Sequence, residues 1–204
     1  MLGPEGNRYL NRMADSTVYM QQLIHDLIDL SRVGRSGVEP IAVDLRRLVR
    51  AVAEDAGAAN PGMELRVGRL PVVTGDPVGL RQLFTNLIEN AVRHGGRPDL
   101  AVVIDGRERP DGGVELSVRD NGQGIPAEHR ERVFGVFERL EGPSTSEGTG
   151  MGLAICRKIV EVLGGAIGIQ GDRGTDVRII LPASVPARWP AHELTAGSSR
   201  AAAR

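Results

Sequence analysis

Three clusters in this chain have the residue types and spacing to handle a charged ligand. Asn86, Asn90 and Arg93 recur at helical spacing, which sets them together beside one stripe of a helix. Amide oxygens can coordinate Mg2+ or its waters, and a guanidinium matches phosphate oxygens. Asparagine is a mediocre helix former, so two in step with an arginine are either a solvated flank or a ligand set. The second cluster is Asp120-Asn121-Gly122-Gln123-Gly124. Val114, Leu116 and Val118 alternate with Glu115, Ser117 and Arg119 before it, the mark of a half-buried strand. Asp120 continues the inward phase, and a buried carboxylate is costly unless donors meet it. An adenine exocyclic amine is one candidate donor; a turn-capping role before Asn-Gly is the other reading. A calcium loop fits poorly, because Gly122 and Gly124 stand where oxygen ligands belong.

The third cluster, Gly148, Gly150 and Gly152, runs straight into the helical segment 153–163. Glycines let backbone amides approach phosphates, and a helix N-terminus adds a favourable partial charge. No Gly-Lys-Ser/Thr follows, so this is not a Walker loop. The Gly-x-Gly-x-Gly spacing does not fit the dinucleotide fingerprint either. A plain Gly/Ser linker is the competing interpretation, but such linkers rarely run into an amphipathic helix. Between the two glycine clusters, Phe134 and Phe137 lie three residues apart and are expected to anchor a segment by packing. Residues 141–147, with Gly, Pro, Ser and Thr, are expected to form a short mobile lid.

These residues need elements to hold them. Leu80, Leu83, Phe84, Leu87, Ile88 and Ala91 form one apolar stripe, predicting a helix opened by Asp76-Pro77 and running through His94. Asp44 is expected to cap a helix carrying Leu45, Leu48, Val49 and Val52. Strands are expected near 100–105 and 114–119, either side of a Pro-Asp-Gly-Gly turn. A short helix is expected over 127–134 and a longer one over 152–163. A closing hairpin should pair 166–170 with 177–181 around Gly171-Asp172-Arg173-Gly174. Ahead of all this, residues 9–32 read as one long amphipathic helix, ended by Gly34, Gly37 and Pro40. A single helix cannot bury so broad an apolar face alone, so a partner helix is implied. The order is α+β, with helices covering one face of a mostly antiparallel sheet.

Composition narrows the class. The 204 residues suit one medium domain plus an appendage. With 25 basic and 26 acidic residues, no bulk field draws the chain to nucleic acid or a membrane. The single cysteine, Cys156, excludes an internal disulfide framework and reads as core filling. No apolar run approaches the roughly 20 residues that span a bilayer, and no basic-then-apolar leader opens the chain. A soluble, cytoplasmic module is expected, with a disordered tail rich in Ala, Pro, Ser and Arg after Pro182.

Taken in order, these segments resemble the sensor histidine kinases, within the superfamily that includes gyrase, Hsp90 and MutL. Residues 82–94 resemble the family's N box, 120–124 its first glycine box, 133–140 its F box and 147–155 its second glycine box. The resemblance implies a two-layer α/β sandwich (the Bergerat ATP-binding fold) preceded by one long amphipathic helix. It implies Mg-ATP as the nucleotide, with Asn90 holding Mg2+ and Asn86 supporting, and Asp120 reading adenine. Gly122, Gly124, Ile125 and Thr175 would complete the base end. Arg93, His94, Gly148, Thr149, Gly150, Met151, Gly152 and Leu153 would border the phosphates. Arg139 becomes a candidate catalytic contact to the γ-phosphate beside Asn86; a surface salt bridge is its other reading, and His94 could equally be a plain helix-terminal residue.

Relatives that use a hydroxyl or water nucleophile generally carry glutamate where Asn86 stands, and asparagine cannot take a proton. That favours transfer to histidine over an anti-sigma-type serine kinase, and predicts feeble hydrolysis. A nucleotide-regulated, non-catalytic dimerisation module is the third reading. The implied partners are a dimerisation-domain histidine of the same or a partner subunit, then a response-regulator aspartate, with a homodimer in the full-length protein. His25-Asp26-Leu27 echoes a phosphoacceptor box, but its surroundings resemble the second helix of the dimerisation hairpin. The acceptor belongs on the first helix, so the chain reads as a fragment. Residues 1–35 would be the hairpin remnant, 40–184 the catalytic domain and 185–204 the tail. The lettering from the F box through Gly165 is reminiscent of kinases attached to phytochromes.

Overall fold

The computed structural model describes residues 3–34, 39–140, 148–171 and 173–183. The expected lid at 141–147 and the tail beyond 184 lie outside the described residues. The chain opens with α1 (Pro4–Arg32), which begins five residues earlier than the apolar pattern suggests because Pro4 can start a helix. Strand β1 (Ile41–Asp44) follows, then α2 (Leu45–Ala59), β2 (Glu64–Val67), β3 (Val72–Gly75) and α3 (Pro77–Gly95). Strands β4 (Ala101–Glu108) and β5 (Val114–Asp120) precede α4 (Gly152–Val162), and β6 (Ala166–Gln170) and β7 (Asp176–Leu181) close the fold.

Five strands form one sheet in the order β2-β4-β5-β7-β6. Only the β2–β4 pair is parallel; the others are antiparallel. β1 and β3 form a separate antiparallel pair. The two-layer sandwich and its leading helix are therefore as expected, but β1, β2 and β3 were not legible individually. Each has four residues, too few for alternation to stand out.

The helices are set by caps and stripes. The Asp44 carboxylate accepts from the Arg47 amide at 3.1 Å to start α2. Asp76 accepts from the Val78 amide at 2.9 Å to start α3, and Pro77 takes the first helical position. Every residue of the expected α3 stripe is buried; each of its leucine, isoleucine and phenylalanine side chains contributes roughly 1.5–3 kcal/mol. Facing them are Leu48, Val49 and Val52 of α2, and Ile155, Cys156 and Ile159 of α4. Val102, Ile104, Leu116, Val118 and Ile179 come up from the sheet.

The opposite sheet face is polar. Glu115 bonds Arg107 and Arg178, while Asp176 bonds Ser117 and Arg178. Ser117 is buried beneath this network despite its outward phase.

One expectation needs correction. Residues 127–134 do not form one helix: two single 3-10 turns, Ala127–His129 and Arg132–Phe134, stand in its place. Arg130, between them, donates to the carbonyls of Ile125 and Gly171, so its side chain ties the segment to neighbouring loops rather than to helix neighbours. Over most of its length the broad face of α1 is left uncovered by the other described residues of this chain. Tyr9, Leu10, Met13, Val18, Met20, Ile24 and Leu27 remain exposed, and only its last turns touch α4 and the core.

Candidate functional site

A cleft of ≈ 430 Å³ opens between α3, the end of β5, the 3-10 segment and the start of α4. The sequence explains each wall. Asn86, Asn90, Arg93 and His94 flank the buried stripe of α3, so packing that stripe turns them toward the cleft. Asn86 Nδ2 donates to the Gly152 carbonyl at 3.3 Å, tying α3 to the first residue of α4. Arg93 meets Glu89 at 3.3 Å, with both side chains about half exposed. Such a pair is worth about 0–1 kcal/mol, so an incoming anion can displace it.

Asp120 is half-buried at the end of β5. Its Oδ1 accepts from the Gly122 amide at 2.8 Å and the Thr175 amide at 3.1 Å. Oδ2 has no donor among the described residues. One oxygen is therefore fixed by backbone, and the carboxylate lines the cleft. Asn121 pins the same turn to the start of β4, donating to the Asp99 carbonyl and accepting from the Ala101 amide, both at 2.9 Å. Gly124, Ile125 and Thr175 also line this end, and the Arg130 bond to the Ile125 carbonyl holds it in place.

The glycine-rich wall comes from the start of α4. Gly148, Thr149, Gly150, Gly152 and Leu153 line the cleft, and Arg139 faces them. Thr149 is buried, its hydroxyl donating to Asp26 of α1 and accepting from the Met151 amide at 3.4 Å.

Two expected site residues stand elsewhere. Met151 is fully buried in the core. Gly122 sits behind the cleft, where a Cβ would come within 2.7 Å of the Gly95 Cα. Its absent side chain lets the turn pack on the end of α3.

His94 also lines the cleft, and its imidazole is pushed below its ordinary value by burial first, then by the Arg93 and Arg139 guanidinium groups. Burial pushes the Cys156 thiol up to about 12, so it is an inert packing residue.

Sequence reasoning missed several cleft residues: Glu89, Gly96, Gln123, Pro126, His129, Val133, Glu138 and Leu140. Glu89 carried a signal, its i, i+4 relation to Arg93. Gln123 and His129 carried none, since nothing in spacing tells which loop residue faces inward.

Residues 75–185 match the family described as histidine kinase-, DNA gyrase B-, and HSP90-like ATPase. The phytochrome-like protein Cph1 of Synechocystis sp. is 36% identical over 157 residues, covering 76% of this chain. The match takes in only 21% of that relative, so the chain spans about a fifth of its length. The mycobacterial sensor histidine kinase MprB superposes with a TM-score of 0.64 at 29% identity, covering 72% of this chain and 99% of that one. Full-length ShkA, solved in complex with AMPPNP, gives a TM-score of 0.70 at 27% identity over 91% of this chain and 40% of that one.

Proposed function

Since the chain belongs to the histidine kinase-, DNA gyrase B- and HSP90-like ATPases, on the sensor histidine kinase side of that family, we propose that it is the ATP-binding catalytic module of a phosphorelay. It transfers the γ-phosphoryl group of Mg-ATP to a histidine of a dimerisation domain, on the same or a partner subunit. Relay to a response-regulator aspartate follows, within a homodimeric full-length protein.

The observation that carries this reading is Asp120. A carboxylate with one oxygen held by two backbone amides and the other facing a cleft is oriented to accept from a ligand N–H. The adenine exocyclic amine is such a donor, and Gly124, Ile125 and Thr175 frame the base around it. Gly122 acts from behind, fixing Asp120. The relative solved with AMPPNP supports an adenine nucleotide.

At the other end, the amides of residues 148–152 and the start of α4 supply donors and a helix N-terminal partial charge to phosphates. Arg93 exchanges Glu89 for a phosphate oxygen, and Arg139 meets the γ-phosphate. Leu153 and buried Met151 fix the segment by packing. Among the described residues no group of three or more His, Cys, Asp or Glu side chains is placed to hold a metal ion. The side-chain oxygens that α3 brings to the cleft are the amides of Asn86 and Asn90 and the Glu89 carboxylate, and the two amides are hard donors that suit Mg2+ arriving with the nucleotide. Bound Mg2+ supplies charge neutralisation across the phosphates. Asn90 would hold it, and Asn86, already tied to Gly152, would keep α3 and α4 in register. His94, whose imidazole is pushed below its ordinary value by burial and by the Arg93 and Arg139 guanidinium groups, borders the phosphates.

In the transfer, a bond forms from an imidazole nitrogen to the γ-phosphorus as the bond to the β–γ bridging oxygen breaks, leaving ADP. Protein groups position and neutralise, which is most of what this chemistry needs. None acts as a base on water: asparagine stands at position 86.

The test is calorimetric titration of Mg-ATP into the wild-type chain and into Asp120→Asn. Binding by the wild type, weakened tenfold or more in the variant, is expected; losing one charge-assisted bond costs about 1.5–3 kcal/mol. Equal binding by both would remove Asp120 from base recognition. Well-folded wild type that binds nothing would sink the proposal. Transfer is checked with γ-labelled ATP and a separate dimerisation-domain polypeptide, whose label should be acid-labile and alkali-stable.

A further inference from the structure

The last turns of α1 are joined to the catalytic layer by two carboxylates. Asp26 accepts from the Thr149 hydroxyl, and Asp29 accepts from Gln82 Nε2 at 2.9 Å. Leu30 and Val33 pack against the core beside them. Positions 26, 29, 30 and 33 are spaced i, i+3, i+4 and i+7, so they form one helix face. The rest of α1 lies exposed; this short seam holds it.

Thr149 belongs to the cleft wall as well as to the seam. A hydroxyl has one proton to give. While Asp26 takes it, Thr149 cannot donate to a phosphate oxygen. Docking also sets a formal negative charge beside the amides that face the cleft, where a polyanion would have to sit. We propose that docking of α1 through Asp26 and occupation of the glycine-rich wall by phosphates oppose each other, so that the position of α1 regulates nucleotide affinity. This rests on the reading that residues 148–152 receive the phosphates. Linkage makes the effect reciprocal: nucleotide must loosen α1 by the same factor that α1 weakens nucleotide.

Two variants of this 204-residue chain test it. Asp26→Asn removes the charge; Gln82→Leu removes the second tether without touching the cleft. Mg-ATP and adenosine are titrated into each. Both variants should bind Mg-ATP about fivefold tighter or more, with adenosine affinity unchanged because it carries no phosphate. Saturating Mg-ATP should also speed amide hydrogen exchange in residues 23–32 of the wild type. If Asp26→Asn leaves Mg-ATP affinity unchanged or weakens it, the proposal falls. If only Asp26→Asn tightens binding, the carboxylate acts through space and docking is not linked to it. Tightening of adenosine to the same degree would place the effect outside the phosphate wall. Failure of all three proteins to bind Mg-ATP would instead overturn the site reading itself, and this inference with it.

Discussion

Two glycines in the same segment should separate folding from binding. Gly152 is the first residue of α4 and lines the cleft, and a Cβ added there would meet nothing within 4 Å. Alanine at 152 is therefore accommodated by the fold, and Gly→Ala in a helix gains roughly 0.5–1 kcal/mol from reduced unfolded-state freedom and better propensity. Any loss of binding then reports on what the cleft must hold. Amides that donate to phosphates at about 2.7–3.2 Å leave no layer for a methyl group. Forcing one in costs about 1–3 kcal/mol, a loss of roughly 5- to 150-fold in affinity.

Gly150 is the opposite case. Its φ is +72°, and a Cβ there would come within 2.7 Å of the Glu138 carbonyl oxygen and 2.9 Å of the Phe137 carbonyl carbon. The left-handed backbone alone costs a non-glycine residue about 1–2 kcal/mol. The contacts are with backbone and cannot swing aside, so Gly150→Ala should lower stability by at least that amount. For a domain of this size that is about 2–8 °C in Tm. Denaturant unfolding and calorimetric Mg-ATP titration of both variants make the comparison. Gly152→Ala should unfold no earlier than wild type yet bind Mg-ATP at least fivefold more weakly. If it binds like wild type, the second glycine segment does not approach the phosphates closely, and the argument built on it is wrong.

Other outcomes follow from the same geometry. Because the folded state holds His94 below its ordinary value, the unfolded chain binds more protons just below pH 6.5. Stability should then rise with pH through that window, and His94→Gln should flatten the rise in thermal melts. Phosphates beside the imidazole would lift it again, so Mg-ATP binding near pH 6 should take up protons, read as a buffer-dependent enthalpy. Asp76→Ala, which removes the α3 cap, should cost about 1 kcal/mol in denaturant unfolding while leaving Mg-ATP affinity within twofold. Wild type should hydrolyse ATP only feebly. Asn86→Glu should raise hydrolysis in a phosphate-release assay by supplying a base, at a stability cost of about 1–3 kcal/mol because a carboxylate cannot donate to the Gly152 carbonyl. Substantial wild-type hydrolysis would count against transfer to histidine.

The parts of the fold that were legible are those written locally. The α3 stripe, the Asp44 and Asp76 caps, the alternation of β5 and the closing hairpin each depend on residues within one element, and each appears with nearly the expected bounds. The short strands β1, β2 and β3 were not, because their pairing is decided by partners such as β4 that are distant in sequence. The 127–134 segment shows the same limit from the other side. Its pattern suits a helix, but the tertiary bonds of Arg130 to Ile125 and Gly171 win over local propensity.

The candidate site divides the same way. Asn86, Asn90 and Arg93 could be placed on a face from periodicity alone, since burying the adjacent stripe leaves them one direction to point, and Asp120 from the inward phase of its strand. Gly122 and Met151 could not, because a motif says which residues belong together and not which of them turns outward. Thr149 shows most clearly what a motif leaves out. By its neighbours it is a glycine-box residue, and its place on the cleft wall agrees with that. Yet its hydroxyl is engaged by Asp26, 123 positions earlier, through a contact that no local spacing could announce. Sequence motifs specify the surface a ligand would touch. Whether a polar group on that surface is available to the ligand depends on which distant element has already claimed its proton.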